Sequence, residues 1–277
     1  MSNMGSVTGL FIYPVKSCGA ISLSTAKCEL SGFRWDREWV LHGREGKALT
    51  QRDVARMALI GTHVEDAGDA SAKLTLNFPD RAPLVVSGNF DGERLVTDVW
   101  GTGTAGRDEG AEAAAWLSDA LSTPVRLARR DFAESRLSRI AMPSGQYAPL
   151  SYFDGMPLLV VSEESLDDLN QQIEGNGGAA VPMSRFRPSI VLRGLGAFAE
   201  DNANMLRVGN IIMHRGKPCA RCVITTIDQA TAIARGPEPL RTLSKYRQQG
   251  EKVMFGTYFM PEAVGEIRVG DVAEILN

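Results

Sequence analysis

At 277 residues, with 44% hydrophobic and 23% charged side chains, the chain has the composition of a soluble globular protein and is long enough to divide into two domains. Its formal net charge of −3 gives no electrostatic reason to expect nucleic acid or an anionic membrane as a partner. The N-terminus lacks a basic region followed by a continuous apolar run, and no apolar segment approaches the roughly 20 residues of a membrane helix, so a cytoplasmic protein is expected, with no membrane and no nucleic-acid partner.

The four cysteines, Cys18, Cys28, Cys219 and Cys222, sit in a chain that nothing marks as secreted, so reduced thiols are expected rather than a disulfide framework. The three histidines, His42, His63 and His214, never take the i, i+4 spacing that puts two imidazoles on one helical face. A metal site would therefore draw on sulfur, carboxylate or a cofactor's own ligands; a pyridoxal phosphate site is not expected.

From Val7 to about Val99, runs rich in β-branched and aromatic residues recur between turn residues: GLFIY, AISLSTAKCEL, REWVLHG, KLTLNF, PLVVSG and ERLVTDVW. Strand signals at such short intervals predict a β-rich first domain. GTGTAGRDEG is glycine-rich and polar and reads as a loop, followed by EAAAWLSDALS, where Ala114, Leu117 and Leu121 at helical spacing predict a helix closing that domain. The stretch ARRDFAESRLSRIAMPSGQYAPLSYFDG mixes charge, Pro and Gly without a period and reads as a crossover or mobile loop. Beyond it PLLVVS reads as a strand, and Ser162 is a good N-cap for a helix through SLDDLNQQI, ended by Gly175, Gly177 and Gly178. Strands are expected at SIVLRG, LRVGNIIMHR and CVITTID, a helix at PLRTLSKYRQQ, and closing strands at VMFGTYFM and DVAEILN. The expected fold is mixed α/β and β-rich, divided into residues 1–128 and 129–277, without internal repeats or low-complexity tracts.

PCARC, Pro218 to Cys222, lies between two predicted strands and is the most pointed local feature. A C-x-x-C pair admits half of a zinc site, a redox dithiol, two buried cysteines acting as small hydrophobes, or a thiolate that binds a metal. Zinc needs two further N or S ligands, and His214, Cys18 and Cys28 offer no paired spacing. A thioredoxin-like dithiol wants a strand-to-helix turn, whereas VITTID reads as strand. Arg221 beside Cys222 would favour a thiolate.

Elsewhere, YPVKSC puts Lys16 and Ser17 at the end of the first strand, where a lysine is by default a solvated charge. RWDREW holds Arg34, Asp36 and Arg37, compatible with a surface ion-pair cluster of little energetic weight. In FRPSIVL, Arg187 precedes a proline, which predicts an extended conformation and a fixed fork suited to a phosphate or a planar polar edge.

Taken in order, YPVKSC, RWDREW with TQRD, FRPSIVL, ED, PCARC, EPLRTLSKYR and FGTYF resemble MOSC-domain proteins that carry a MOSC N-terminal β-barrel domain. That group includes the mitochondrial amidoxime-reducing component and the bacterial YcbX-type reductases of N-hydroxylated compounds. The resemblance spans nearly the whole chain. It implies a MOSC N-terminal β-barrel domain over 1–128 and a MOSC domain of β-barrel type with flanking helices over 129–277. It also implies a molybdenum cofactor, Mo-molybdopterin, bound between the two domains. Cys222 would be the metal ligand and the catalytic thiolate, with Cys219 as a supporting buried residue.

The cofactor contacts carried over by the resemblance are Lys16, Ser17, Arg37, Arg187, Ser189, Ala220, Arg221 and Tyr258. Gly155 and Met156 stand before Pro157 where relatives can carry hydroxyl residues, so only their backbones would make contact. Ser189 stands where relatives have asparagine, and Ala220 where a serine can occur. The implied reaction is oxygen-atom transfer from a small N-hydroxylated substrate to reduced molybdenum, followed by two-electron, two-proton re-reduction. Neither the cysteine spacing of a plant-type iron–sulfur cluster nor a G-x-G-x-x-G turn is present. Electrons would therefore come from a separate protein of flavoprotein reductase, ferredoxin or cytochrome type. The rival from another class is a sulfur carrier or cofactor-handling protein that bears a persulfide on Cys222.

Overall fold

The computed structural model describes residues 3–66, 72–88, 91–131, 133–134, 136–142 and 144–276. At its centre seven strands close into a barrel. Leu158–Ser162 runs parallel to Ile190–Arg193. Antiparallel neighbours then follow as Met4–Ile12, Val272–Leu276, Met205–Val208, Ile211–Arg221 and Lys252–Pro261, the last of which closes on Leu158–Ser162. Closure leaves these strands without a free edge. Every stave except Met4–Ile12 comes from the second half of the chain, so the N-terminal strand completes a barrel built by the C-terminal sequence. A register shift between Val7 and Gly9 lets Val7, Leu10 and Ile12 all face inward, which strict alternation would forbid.

The intervening sequence forms a half-barrel from a four-stranded sheet, ordered Trp39–His42, Arg126–Arg130, Thr102–Asp108 and Arg94–Val99, and a three-stranded sheet of Gly61–Asp66, Ala72–Asn77 and Leu84–Val86. Helix Ala111–Leu121 packs on it through Ala113, Leu117, Ala120 and Leu121. One hydrophobic core runs through both parts, joining Leu41, Leu74 and Leu117 to Leu10, Leu158 and Leu206. Helix Glu163–Gly175 starts where the sequence places it: the Ser162 hydroxyl accepts the Ser165 amide at 3.1 Å, and Glu163 and Glu164 occupy the first turn.

Four expectations change. The glycine-rich stretch read as a loop is the strand Thr102–Asp108, and its glycines serve close approach: a Cβ on Gly106 would lie 2.3 Å from the Tyr152 hydroxyl. The stretch read as a crossover holds the end of strand Arg126–Arg130 and the whole of strands Arg136–Ala141 and Tyr147–Leu150. Two of its arginines, Arg129 and Arg130, are buried, which disguises the strand pattern. Arg130 makes two bonds to the Glu38 carboxylate at 3.0 and 2.9 Å, and Arg129 stacks 5.0 Å from the Trp39 ring centroid. LRVGNIIMHR is a hairpin rather than one strand, turning at Gly209 with φ of +56°. Finally, the residues after Cys222 form a 3₁₀ turn, Val223–Thr226, because the Thr225 and Thr226 hydroxyls donate back to the Cys222 and Val223 carbonyls at 2.9 and 2.8 Å.

Glu200 ties the 3₁₀ turn Ala199–Asp201 to the start of helix Glu163–Gly175, accepting from the Ser162 amide at 3.3 Å and the Ser165 hydroxyl at 2.9 Å. Burial pushes its carboxyl up from 4.5 to about 7. With the folded value above the unfolded one, the folded state binds the proton more tightly, so stability falls as pH rises from about 4.5 through 7. The full cost, at most about 3 kcal/mol, is reached above the folded value. Glu200→Gln keeps the acceptor oxygen without the charge. Urea unfolding should find this variant more stable than wild type at pH 8, with the advantage shrinking towards pH 5; a pH-independent difference would show that Glu200 does not ionise in this window.

Candidate functional site

A cleft of about 570 Å³, within the range of small-molecule cofactor sites, opens between the barrel and the half-barrel. Of the residues singled out from the sequence, Lys16, Ser17, Arg37, Met156, Arg187, Ser189, Ala220, Arg221, Cys222 and Tyr258 line it. Gly155 is not among the lining residues, although its neighbours Asp154 and Met156 are. Seven cationic side chains, Lys16, Arg37, Arg52, Arg185, Arg187, Arg221 and Lys252, face the cleft with a single carboxylate, Asp154. In a chain whose net charge is −3, that concentration of one sign marks the cleft as a site for an anion.

The N-terminal wall follows from the barrel. Strand Met4–Ile12 delivers Tyr13, whose amide donates to the Asp36 carboxylate at 2.8 Å and whose hydroxyl donates to the Pro188 carbonyl at 3.1 Å. The guanidinium carbons of Arg37 and Arg187 lie 4.3 and 4.1 Å from the Tyr13 ring centroid. One aromatic ring therefore holds two cations from distant sequence positions beside each other. Asp36 forms an ion pair with Arg37, while Arg187 donates to the Gln229 side-chain oxygen at 3.3 Å. Burial pushes the Tyr13 phenol up to about 12, so it stays protonated and keeps its bond to Pro188.

Arg187 corrects one reading of the sequence: its φ of +53° lies in the left-handed region, not the extended one that the following proline suggested. Ser17 and Arg37, at +67° and +54°, share that conformation.

Buried Lys16 donates to the Tyr152 carbonyl at 3.0 Å and forms an ion pair with Asp154, which also accepts from Trp100 Nε1 at 2.8 Å. Enclosure in the cleft raises the Asp154 carboxyl, but Lys16, the Trp100 hydrogen bond and Arg37 outweigh it and hold the group well below the usual carboxylate range. Ser189 is buried, with its hydroxyl accepting the Leu159 amide at 3.3 Å. Met156 packs with Met142, Ala148 and Met260, and a Cβ at Gly216 would strike its methyl at 2.0 Å. Tyr258 lies beside Cys219, and burial pushes both the phenol and that thiol above their ordinary values.

Cys222 ends strand Ile211–Arg221 and caps the 3₁₀ turn, half-buried at the cleft, whereas Cys219 is buried among Val161, Phe186 and Phe255. The arginine that meets the Cys222 thiol is not its sequence neighbour. Arg221 turns away, donating to the Phe255 and Phe186 carbonyls at 2.8 and 3.0 Å, and its Nη2 is buried without a hydrogen-bond partner. Arg52, from TQRD, brings its Nη2 to 3.1 Å from Cys222 Sγ. The turn that carries it is fixed by Asp53, which accepts from the Thr50 amide and hydroxyl at 2.9 and 3.0 Å. Gln51 reaches the Ser17 carbonyl at 2.8 Å and exchanges two amide hydrogen bonds of 2.9 Å with Gln229, joining this turn to the segment after Cys222.

A single half-buried thiol among cations fits a cofactor that brings an anionic group and its own metal ligands. The unpartnered Nη2 of Arg221 is a donor such a group would satisfy. Among the described residues no three His, Cys, Asp or Glu side chains gather into a metal cage.

Residues 4–124 match the MOSC N-terminal beta barrel domain and residues 148–274 the MOSC domain. The mouse mitochondrial amidoxime-reducing component 1 is 34% identical over 295 residues, covering 100% of this chain and 84% of the relative. The human component 1 gives 34% over 297 residues, covering 100% and 85%, and the bovine component 2 gives 34% over 288 residues, covering 98% and 83%. The chain belongs to the MOSC-domain family of the amidoxime-reducing components.

Within this MOSC-family cleft, sequence reasoning missed Arg52 and Asp154. TQRD was part of the resemblance, and the turn-forming Thr50 and Asp53 on either side of Arg52 were the available signal. Two substitutions separate the arginines. Arg221→Ala removes two bonds to carbonyls and should cost about 3 kcal/mol of stability. Exposed Arg52→Ala should stay within about 0.5 kcal/mol of wild type. Chemical denaturation of both variants checks this; equal destabilisation would mean Arg221 is not the structural member of the pair.

Proposed function

We propose that the chain is a cytoplasmic, molybdenum-cofactor-dependent reductase of small N-hydroxylated compounds, re-reduced by a separate electron-donor protein of flavoprotein, ferredoxin or cytochrome type. The observation that supports this most is the pairing, in one cleft, of a half-buried Cys222 thiol held by Arg52 with the cations Lys16, Arg37 and Arg187. The names of the relatives, amidoxime-reducing components, point to the same substrate class. In this reading Cys222 binds the metal, Arg37, Arg187 and Lys16 with Ser17 receive the cofactor's anionic end, and Ser189, Ala220, Arg221 and Tyr258, with the backbones of Gly155 and Met156, flank its polar ring system.

Bound there, the cofactor would supply a two-electron redox metal able to take an oxygen atom. Overall, the substrate's N–O bond breaks, its oxygen leaves as water, and two electrons and two protons enter. The chain's own part is to hold the ligands in place. Tyr13 keeps two arginines in register by stacking, and Arg52 offers its cation to the Cys222 sulfur. Asp154, held below the usual carboxylate range, remains ionised at neutral pH and acts as the counter-ion of Lys16 rather than as a proton donor.

Cys222→Ser should lose molybdenum and turnover together. Cys219→Ser should retain the metal and lose about 1–2 kcal/mol of stability, because a hydroxyl replaces a thiol among apolar side chains. Elemental analysis of both variants decides the ligand; unchanged molybdenum in Cys222→Ser would sink the assignment. Electron supply is tested on an N-hydroxylated substrate with NADH alone, with a viologen-type reductant, and with a flavoprotein reductase added. Turnover is expected in the last two arms only. Labile sulfur on Cys222 without stoichiometric molybdenum would instead favour a sulfur carrier.

A further inference from the structure

Trp100 stands where its backbone is least comfortable. Strands Arg94–Val99 and Thr102–Asp108 pair up to Val99 and Thr102, leaving Trp100 and Gly101 as a two-residue loop, with φ of +58° and +76°. Positive φ at both positions is the type I′ hairpin turn, which favours Asn or Asp before Gly. A bulky ring in that first position is strained, and strain kept at one residue points to a use for its side chain.

That side chain is anchored and yet open. Nε1 donates to Asp154 at 2.8 Å, the Arg52 guanidinium carbon lies 4.5 Å from the ring centroid, and the residue remains 49% exposed. Trp100, Arg52 and Lys16 are common to two cavities: the cleft that holds Cys222, and a neighbour of about 390 Å³. The neighbouring cavity is otherwise lined by Lys47, Ala48, Thr50, Asp53, Asp98, Val99 and Gly101. The stacked Arg52–Trp100 pair thus stands where the two cavities meet, and Arg52 reaches from it to Cys222 Sγ at 3.1 Å.

We propose that this second cavity receives the body of the substrate, and that Trp100 selects flat N-hydroxylated amidine-type compounds, aryl or heteroaryl, whose ring lies against the indole. The proposal rests on the reductase reading above. An aromatic face rewards a planar π-system and is indifferent to its substituents. Because Arg52 meets both the indole and the thiol, a ring held against Trp100 adjoins the Cys222 cleft, into which its N–OH group would extend. Asp98, which lines this cavity, is an acceptor for the amidoxime N–H groups. A small non-planar substrate such as hydroxylamine gains nothing from this wall.

The test uses Trp100→Asn, which suits the turn better than tryptophan and so guards the fold, and Trp100→Phe, which keeps a ring but loses the bond to Asp154. Holoenzyme kinetics should show the ratio of kcat/KM for benzamidoxime over hydroxylamine falling about tenfold in Trp100→Asn, mainly through KM, but much less in Trp100→Phe. Calorimetry on protein purified without the cofactor gives a second readout: benzamidoxime, neutral and not turned over there, should bind wild type and Trp100→Phe and bind Trp100→Asn about tenfold more weakly. Equal losses in both variants would overturn the proposal in favour of a role through Asp154. Loss of molybdenum in Trp100→Asn would overturn it in favour of cofactor binding. If wild type reduces neither substrate, the reductase reading fails, and the calorimetric arm still decides whether the cavity holds a flat amidoxime.

Discussion

The site depends on one strand. Met4–Ile12 is hydrogen-bonded on one side to Ile190–Arg193 and on the other to Val272–Leu276, while Ile21–Leu23 pairs with its last three residues. Its register fixes where the chain leaves the barrel, and therefore where Tyr13, Lys16 and Ser17 stand relative to Arg187 and Ser189 at the start of the adjacent stave. The Phe11 amide, bonded to the Ser189 carbonyl at 2.9 Å, locks that relation at the rim. A slip of one residue would exchange inward and outward faces along the strand and carry Tyr13 away from both arginines. Barrel closure and cleft assembly are in this sense the same event, accomplished by residues far apart in sequence.

Conformational strain is concentrated around the cleft. Ser17, Arg37, Arg187 and Trp100 all line it with positive φ, although none is a glycine. Each such residue costs of order 1 kcal/mol or more, and persists only where its surroundings over-determine it. Those surroundings are visible: the Arg37 amide donates to the Tyr13 carbonyl, the Arg187 amide to the Ser184 carbonyl, and the two guanidinium groups share the Tyr13 ring. Left-handed backbone at these points turns long side chains across the chain direction, which a regular strand could not do while keeping its ladder.

The fold class, the helix capped by Ser162 and most strands of the barrel were legible because short apolar, β-branched runs there are bounded by turn and capping residues. Legibility failed where charge is internal. Arg129 and Arg130 face the core, satisfied by Trp39 and Glu38 through partners about ninety residues away, and such pairing leaves no local pattern. The residues after Cys222 failed for another reason: VITT is β-prone by composition, but two threonine hydroxyls fold back on the main chain and form a turn. In the site, residue types in motif order located ten of the lining positions. What they could not give was partnership, since sequence adjacency suggested Arg221 for the thiol where folding supplies Arg52.

That exchange of arginines has a physical logic. Arg221 is the last residue of its strand and Cys222 caps the turn that follows, so the adjacent guanidinium is committed to the strand rather than to the thiol. Arg221, although it lines the same cleft, is spent on the backbone, joining Phe186 to Phe255, and so fixes the strand that leads into Cys222. Arg52 arrives from another part of the molecule and is free of that commitment. Its hold on the thiol is then conditional on the half-barrel being docked, through Gln51 and Gln229 and through the Trp100 wall. The rigid cation supports the strand, and the exposed one, carried by a turn that both halves of the chain must position, meets the sulfur.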